Sequence, residues 1–92
     1  MSINIVVFIK PEALLFNEFG GNLSVLREMS LLEDDCDLFD FYIYEDKYVL
    51  IERWKSQKGI DYHMKQDYTL SFIEKAKETV ITTEVFRLKN FQ

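Results

Sequence analysis

The sequence predicts a single α+β domain of the ferredoxin-like class, one antiparallel four-stranded sheet with helices packed on one of its faces. Three observations carry that prediction. The elements read strand, helix, strand, strand, helix, helix, strand, which is the β-α-β-β-α-β order with its second helix split. The second and third strands are joined by Glu45-Asp46-Lys47 alone, a connection too short for anything but an antiparallel hairpin. The whole chain, residues 1–92, is one domain in length.

Taken in order, Ile3 to Ile9 is a β-branched run that ends at Lys10-Pro11, with Pro11 placed in the first turn of a helix, where its missing N–H costs nothing. From Glu12 onward Phe16, Phe19, Leu23 and Leu26 step by three, four and three residues, the spacing of one helical face. That phase continues across Gly20-Gly21, so the pattern predicts one helix, bent or frayed at the glycines. Glu33-Asp34-Asp35 ends it. Leu38 to Tyr44 and Tyr48 to Trp54 form the hairpin. Ser56 is an N-cap for a short helix to about Gln66, and Asp67 caps another to about Thr79. Val80 to Lys89 closes the chain as a strand.

The hairpin has no plainly solvated face. Phe39, Phe41 and Ile43 point one way, and Leu38, Asp40, Tyr42 and Tyr44 the other. In the next strand Val49, Ile51 and Arg53 oppose Tyr48, Leu50, Glu52 and Trp54. Helices cover only one side of such a sheet. With 48% hydrophobic and 15% aromatic residues, the second side is too apolar to face water, and a second copy of the chain is the simplest cover.

Composition also removes several classes of function. A formal charge of −5 disfavours nucleic acid and anionic membrane surfaces as partners. Met1-Ser2-Ile3-Asn4 lacks the basic start of a signal peptide, and Ile5 to Ile9 is far too short to cross a bilayer, so the expectation is a cytoplasmic protein. One cysteine, Cys36, and one histidine, His63, leave no cluster for a metal. Gly20-Gly21 does not follow a strand, so no phosphate cradle is visible.

Tyr42-Ile43-Tyr44-Glu45-Asp46 is followed by Val49-Leu50-Ile51-Glu52-Arg53-Trp54-Lys55-Ser56, and His63 comes nine residues after Trp54. Phe72-Ile73 and the closing Glu84-Val85-Phe86-Arg87 complete a pattern that resembles the antibiotic biosynthesis monooxygenase domain. That family includes quinol monooxygenases, polyketide anthrone oxygenases, an autoinducer-processing enzyme and haem-degrading proteins. The resemblance covers nearly the whole chain. It implies a homodimeric α+β barrel in which two sheets pack face to face, each subunit holding an apolar pocket between its sheet and its helices. It also implies oxygenation of an electron-rich phenol or quinol with no cofactor, neither metal nor flavin. In such a reaction the deprotonated ring supplies the electrons, and the protein binds the ring, holds its anion and excludes water.

The resemblance assigns roles residue by residue. His63 falls on the family's helical histidine and is the proton acceptor, histidine being the side-chain type that titrates near neutrality; the alternative is a half-buried histidine bracing the sheet. Trp54 matches a strand tryptophan that touches substrate, or is a core aromatic. Glu52 shares its strand face and, if buried, needs a partner such as Arg53 or Arg87. Tyr42, Tyr44, Tyr48 and Tyr62 are candidates for a ring-binding wall, with Tyr68 and Phe72 beside them; aromatic residues at strand spacing are otherwise core or interface. Two positions depart from the family. Leu50 stands where the anthrone oxygenases have an asparagine, and Tyr68 where the quinol and autoinducer branches have a second histidine. The haem-degrading branch has a tryptophan at the position of His63 and a histidine at that of Ile73, so haem chemistry is not expected.

Two functions follow as expectations. One is a cofactor-independent monooxygenase acting on a small aromatic or quinol, with His63 as base. The other is a non-catalytic, ligand-binding or stress-related homodimer of the same fold, in which His63 is structural.

Overall fold

A computed structural model describes residues 2–91. Strand β1 (Ile3–Pro11) is followed by a 3-10 turn at Ala13–Leu15 and helix α1 (Phe16–Ser30). The hairpin of β2 (Cys36–Tyr44) and β3 (Lys47–Trp54) comes next, then α2 (Gln57–Met64), α3 (Asp67–Thr79) and β4 (Val80–Leu88). The four strands lie in the order β2-β3-β1-β4, every neighbouring pair antiparallel. This is the ferredoxin-like α+β arrangement that the element order predicts.

Of the boundaries that differ from the sequence reading, three have a local reason. Pro11 ends β1 opposite Val80 and does not open a helix. The Glu12 N–H donates to the Thr79 carbonyl at 2.8 Å, which keeps the backbone extended past the proline and delays α1 to Phe16. Asp67 is the first residue of α3, where its charge meets the positive end of the helix, and Gln66 holds the cap position without a side-chain bond. The third change is at β2, which starts at Cys36, two residues early, because a bulge between Cys36 and Leu38 adds a pairing to Trp54.

Helix α1 runs unbroken through Gly20 and Gly21, neither of which has positive φ. Gly20 has a packing reason. A Cβ there would strike the Tyr48 hydroxyl, which donates to the Phe16 carbonyl at 2.8 Å while its ring stacks on Phe16 with centroids 4.3 Å apart.

The core lies between α1 and the helix-side face of the sheet, where Phe19, Leu23 and Leu26 meet Val7, Ile9, Phe39, Tyr48, Leu50 and Trp54. The opposite face carries Val6, Phe8, Val49, Ile51, Tyr42, Phe86 and Leu88 in register across the strands. Phe8 and Phe86 meet edge to face at 6.0 Å. Tyr42, Phe86 and Leu88 are 46–57% exposed in the single chain. An apolar surface that spans four strands is rarely left to solvent. No helix among the described residues is long and apolar enough to cross a membrane.

Candidate active site

The site is built where the segment between α1 and β2 lies along α2. Ser56, the N-cap of α2, accepts from the Gly59 N–H at 3.1 Å, and its own hydroxyl donates to Asp35 Oδ2 at 2.7 Å. Gly59 and His63 are the two buried residues of α2, one helical turn or about 6 Å apart on the same face. The segment is a turn, the Cys36 N–H donating to the Glu33 carbonyl at 3.1 Å, and it sets Asp35 on Gly59 and Glu33, two residues earlier, on His63.

Gly59 is needed for that docking, since a Cβ would collide with the Asp35 side chain at its own Cβ. Gly59→Ala removes a helix-interior glycine, a gain of about 1 kcal/mol, but the overlap with a backbone-proximal atom costs typically 1–3 kcal/mol. The expected net result in urea unfolding is a destabilised protein, and a Gly59→Ala protein more stable than the parent would contradict this packing.

Glu33 is the centre of the cluster. His63 Nδ1–H donates to Glu33 Oε2 at 2.7 Å, and the Tyr68 hydroxyl donates to the same oxygen. Side-chain exposure is 7% for both Glu33 and His63, so this pair is out of bulk water. Burial, followed by the hydrogen bond to Glu33, pushes the Tyr68 phenol above the usual tyrosine range, so it stays a neutral donor. Glu33 Oε1 is buried with no hydrogen-bond partner among the described residues. An unpaired buried carboxylate oxygen is costly, and it is the kind of acceptor that a ligand hydroxyl satisfies.

Behind His63 lies Trp54, fully buried, its ring 4.6 Å from the imidazole. The indole Nε1–H donates to Glu52 Oε1 at 2.9 Å. Neither Arg53 nor Arg87 pairs with Glu52: Arg53 binds Asn4 and Arg87 binds Gln57. Their strand positions explain this, for Arg53 is on the other face of the sheet and Arg87 is on the outermost strand, beside the start of α2.

Without a cationic partner, burial raises the Glu52 carboxyl above its ordinary value, and the indole bond and His63 offset this only in part. A raised native pKa means that Glu52 stabilises the fold when protonated and that this contribution is lost as pH rises through the native value. Glu52→Gln keeps an acceptor for Trp54 and removes the buried charge. Urea titrations are expected to find Glu52→Gln more stable than the parent at pH 7. Its advantage should shrink as pH falls and vanish below the ordinary glutamate range.

Cys36, also buried, has its thiol pushed up to about 11 by burial first and by Glu33 next, so it is a neutral side chain and no nucleophile at pH 7.

A concavity of about 590 Å³ opens onto this cluster, lined by Met29, Leu32, Glu33, Asp34, Tyr62 and Tyr68 among others. His63 and Trp54 sit one layer behind its wall.

No protein-family model and no curated protein matches the sequence. Solved structures do. Rv0793 of Mycobacterium tuberculosis superposes with a TM-score of 0.92 at 19% identity, over 100% of this chain and 97% of that one. A candidate antibiotic biosynthesis monooxygenase of Nitrosomonas europaea gives 0.90 at 15% identity over 98% and 90% of the two chains. A further antibiotic biosynthesis monooxygenase gives 0.90 at 13% identity over 98% and 99%. The fold is that of the antibiotic biosynthesis monooxygenase domain.

On this fold the residues singled out from sequence do not all converge. His63, Trp54, Glu52 and Tyr68 come together on the helix side of the sheet. Tyr42 and Tyr44 do not join them. They project from the opposite face, 57% and 56% exposed, because strand alternation places them out of phase with the buried Phe39. Phe72 packs on Phe19 with centroids 5.4 Å apart, beside a separate apolar groove under β4. Tyr48 is a core residue and Tyr62 is on the cavity wall. Glu33 was not singled out, since in sequence it is one of three acids closing a helix. The signal that points to it is indirect: a lone histidine on a buried helix face needs a hydrogen-bonding partner.

Proposed function

We propose that the chain is a cofactor-independent monooxygenase-type protein that takes a small phenolic or quinol ring, working as a homodimer. The observation that carries the reading is the buried Glu33 carboxylate on the cavity wall, with His63 and Tyr68 on one oxygen and the other oxygen unpartnered. A ring hydroxyl that enters the cavity supplies the missing donor. Glu33 accepts its proton, His63 shares the charge through Nδ1, and Tyr68 holds the carboxylate in place. His63 is thus a positioning residue, one layer behind the acceptor. The ring anion then reduces dioxygen directly: hydroquinone plus dioxygen gives hydroxyquinone plus water, the substrate being its own reductant. Met29, Leu32 and Tyr62 supply apolar contact for the ring.

Isotope labelling tests the reaction. With labelled dioxygen and a hydroquinone panel, one oxygen atom is expected in the ring product and one in water, at a rate that His63→Ala lowers by about 100-fold or more. Oxygen uptake no faster than in buffer, with the ring still bound, would support the ligand-binding homodimer in its place. The dimer is tested separately by light scattering. Phe8→Asp, set in the middle of the exposed apolar sheet face, is expected to yield monomers, and a parent protein that is itself monomeric would remove this part of the reading.

A further inference from the structure

The walls of the cavity carry an uneven charge. Glu33, Asp34 and Asp35 contribute three carboxylates and Lys58 one ammonium. The nearby Lys55 does not restore the balance, since its ammonium pairs with Asp37 at 2.9 Å and donates to the Asp34 backbone carbonyl at 2.8 Å. Even with a charged His63 behind Glu33, the site is negative, within a chain of net charge −5. The polar atom left unsatisfied is an acceptor, Glu33 Oε1, and the one hydroxyl beside it, that of Tyr68, is already committed to Glu33. The carboxylates outnumber the one ammonium, so the site has a surplus of negative charge. Its apolar contact comes from Met29, Leu32 and Tyr62, side chains suited to a ring face.

We infer that the cavity selects an uncharged aromatic ring bearing O–H donors and rejects the same ring bearing a carboxylate. The inference rests on the ring-binding reading above and adds the charge class of its ligand. A ring carboxylate near the mouth meets Asp34 and Asp35 at a partly exposed site, where one uncompensated like charge is worth about a factor of ten in affinity. That penalty is electrostatic, so it weakens with salt.

The test compares hydroquinone with 2,5-dihydroxybenzoate, the same ring with one carboxylate added. Binding at pH 7 is read by calorimetry and by the imidazole NMR signals of His63, the one histidine of the chain. Hydroquinone is expected to bind at least about tenfold more tightly. Asp34→Asn narrows that ratio, Lys58→Gln widens it, and raising the salt concentration narrows it. Equal or tighter binding of the dihydroxybenzoate overturns the inference, as do ratios that Asp34→Asn and Lys58→Gln leave unmoved. Failure of both rings to bind at millimolar concentration also overturns it. Hydroquinone that binds with the expected preference but drives no oxygen uptake overturns the oxygenase reading and leaves the ligand class standing.

Discussion

Trp54→Ala is expected to cost about 3–5 kcal/mol of unfolding free energy, a large part of what a domain of this size holds. Trp54 is fully buried, pairs across the sheet with Ile3 and Cys36, and is the surface on which the His63 ring lies. Truncation removes most of the indole and leaves a cavity that the β3 backbone cannot close. It also strips the indole N–H bond from Glu52, so a buried carboxylate loses that donor. Trp54→Phe separates the two effects. It keeps most of the ring volume and is expected to lose only about 1–2 kcal/mol, chiefly through the missing N–H. The measurement is urea unfolding followed by circular dichroism, at one protein concentration so that association does not enter the comparison. A Trp54→Ala protein within 1 kcal/mol of the parent would contradict the packing.

The second large effect belongs to Glu33. Glu33→Leu leaves His63 Nδ1–H and the Tyr68 hydroxyl without their shared acceptor in a nearly dry site, and each orphaned donor costs about 1–3 kcal/mol. The sum, on the order of 3–5 kcal/mol, is comparable to breaking a buried ion pair. A double-mutant cycle makes the claim specific. Tyr68→Phe alone is expected to lose about 1 kcal/mol, whereas in the Glu33→Leu background it is expected to lose clearly less, because the hydroxyl keeps only its long contact to the Met29 carbonyl at 3.4 Å. Additive losses would show that Tyr68 and Glu33 do not act on one another.

These two residues were unequally visible in the sequence, and the reason is physical. Trp54 lies on a strand, where period-two alternation puts it in phase with Tyr48 and Leu50, so both its face and its burial were legible. The hairpin was legible for the same kind of reason, since a three-residue connection admits one geometry. Glu33 sits in an irregular segment with no period to read. Its burial comes from Asp35 docking two residues away on Gly59, a contact between elements 24 residues apart in the chain. Ring-binding sites need aromatic walls, which makes Tyr42 and Tyr44 candidates by type, yet alternation against Phe39 and Phe41 puts them on the other face. Pro11 and Asp67 mark boundaries that their neighbours decide: the Glu12–Thr79 bond keeps the first strand extended, and Gln66 takes the position before α3. The element order and faces depend on local pattern, and the site depends on which loop a helix face meets.

On the proposed reading, Glu33, backed by His63 and Tyr68, takes the proton of a bound ring hydroxyl. The most direct test is oxygen uptake with saturating hydroquinone, comparing the parent with Glu33→Gln, which keeps the size and an acceptor oxygen while losing the basic carboxylate. A fall of about 100-fold or more in the maximal rate is expected, with ring affinity changed much less. Equal maximal rates for the two proteins would contradict it.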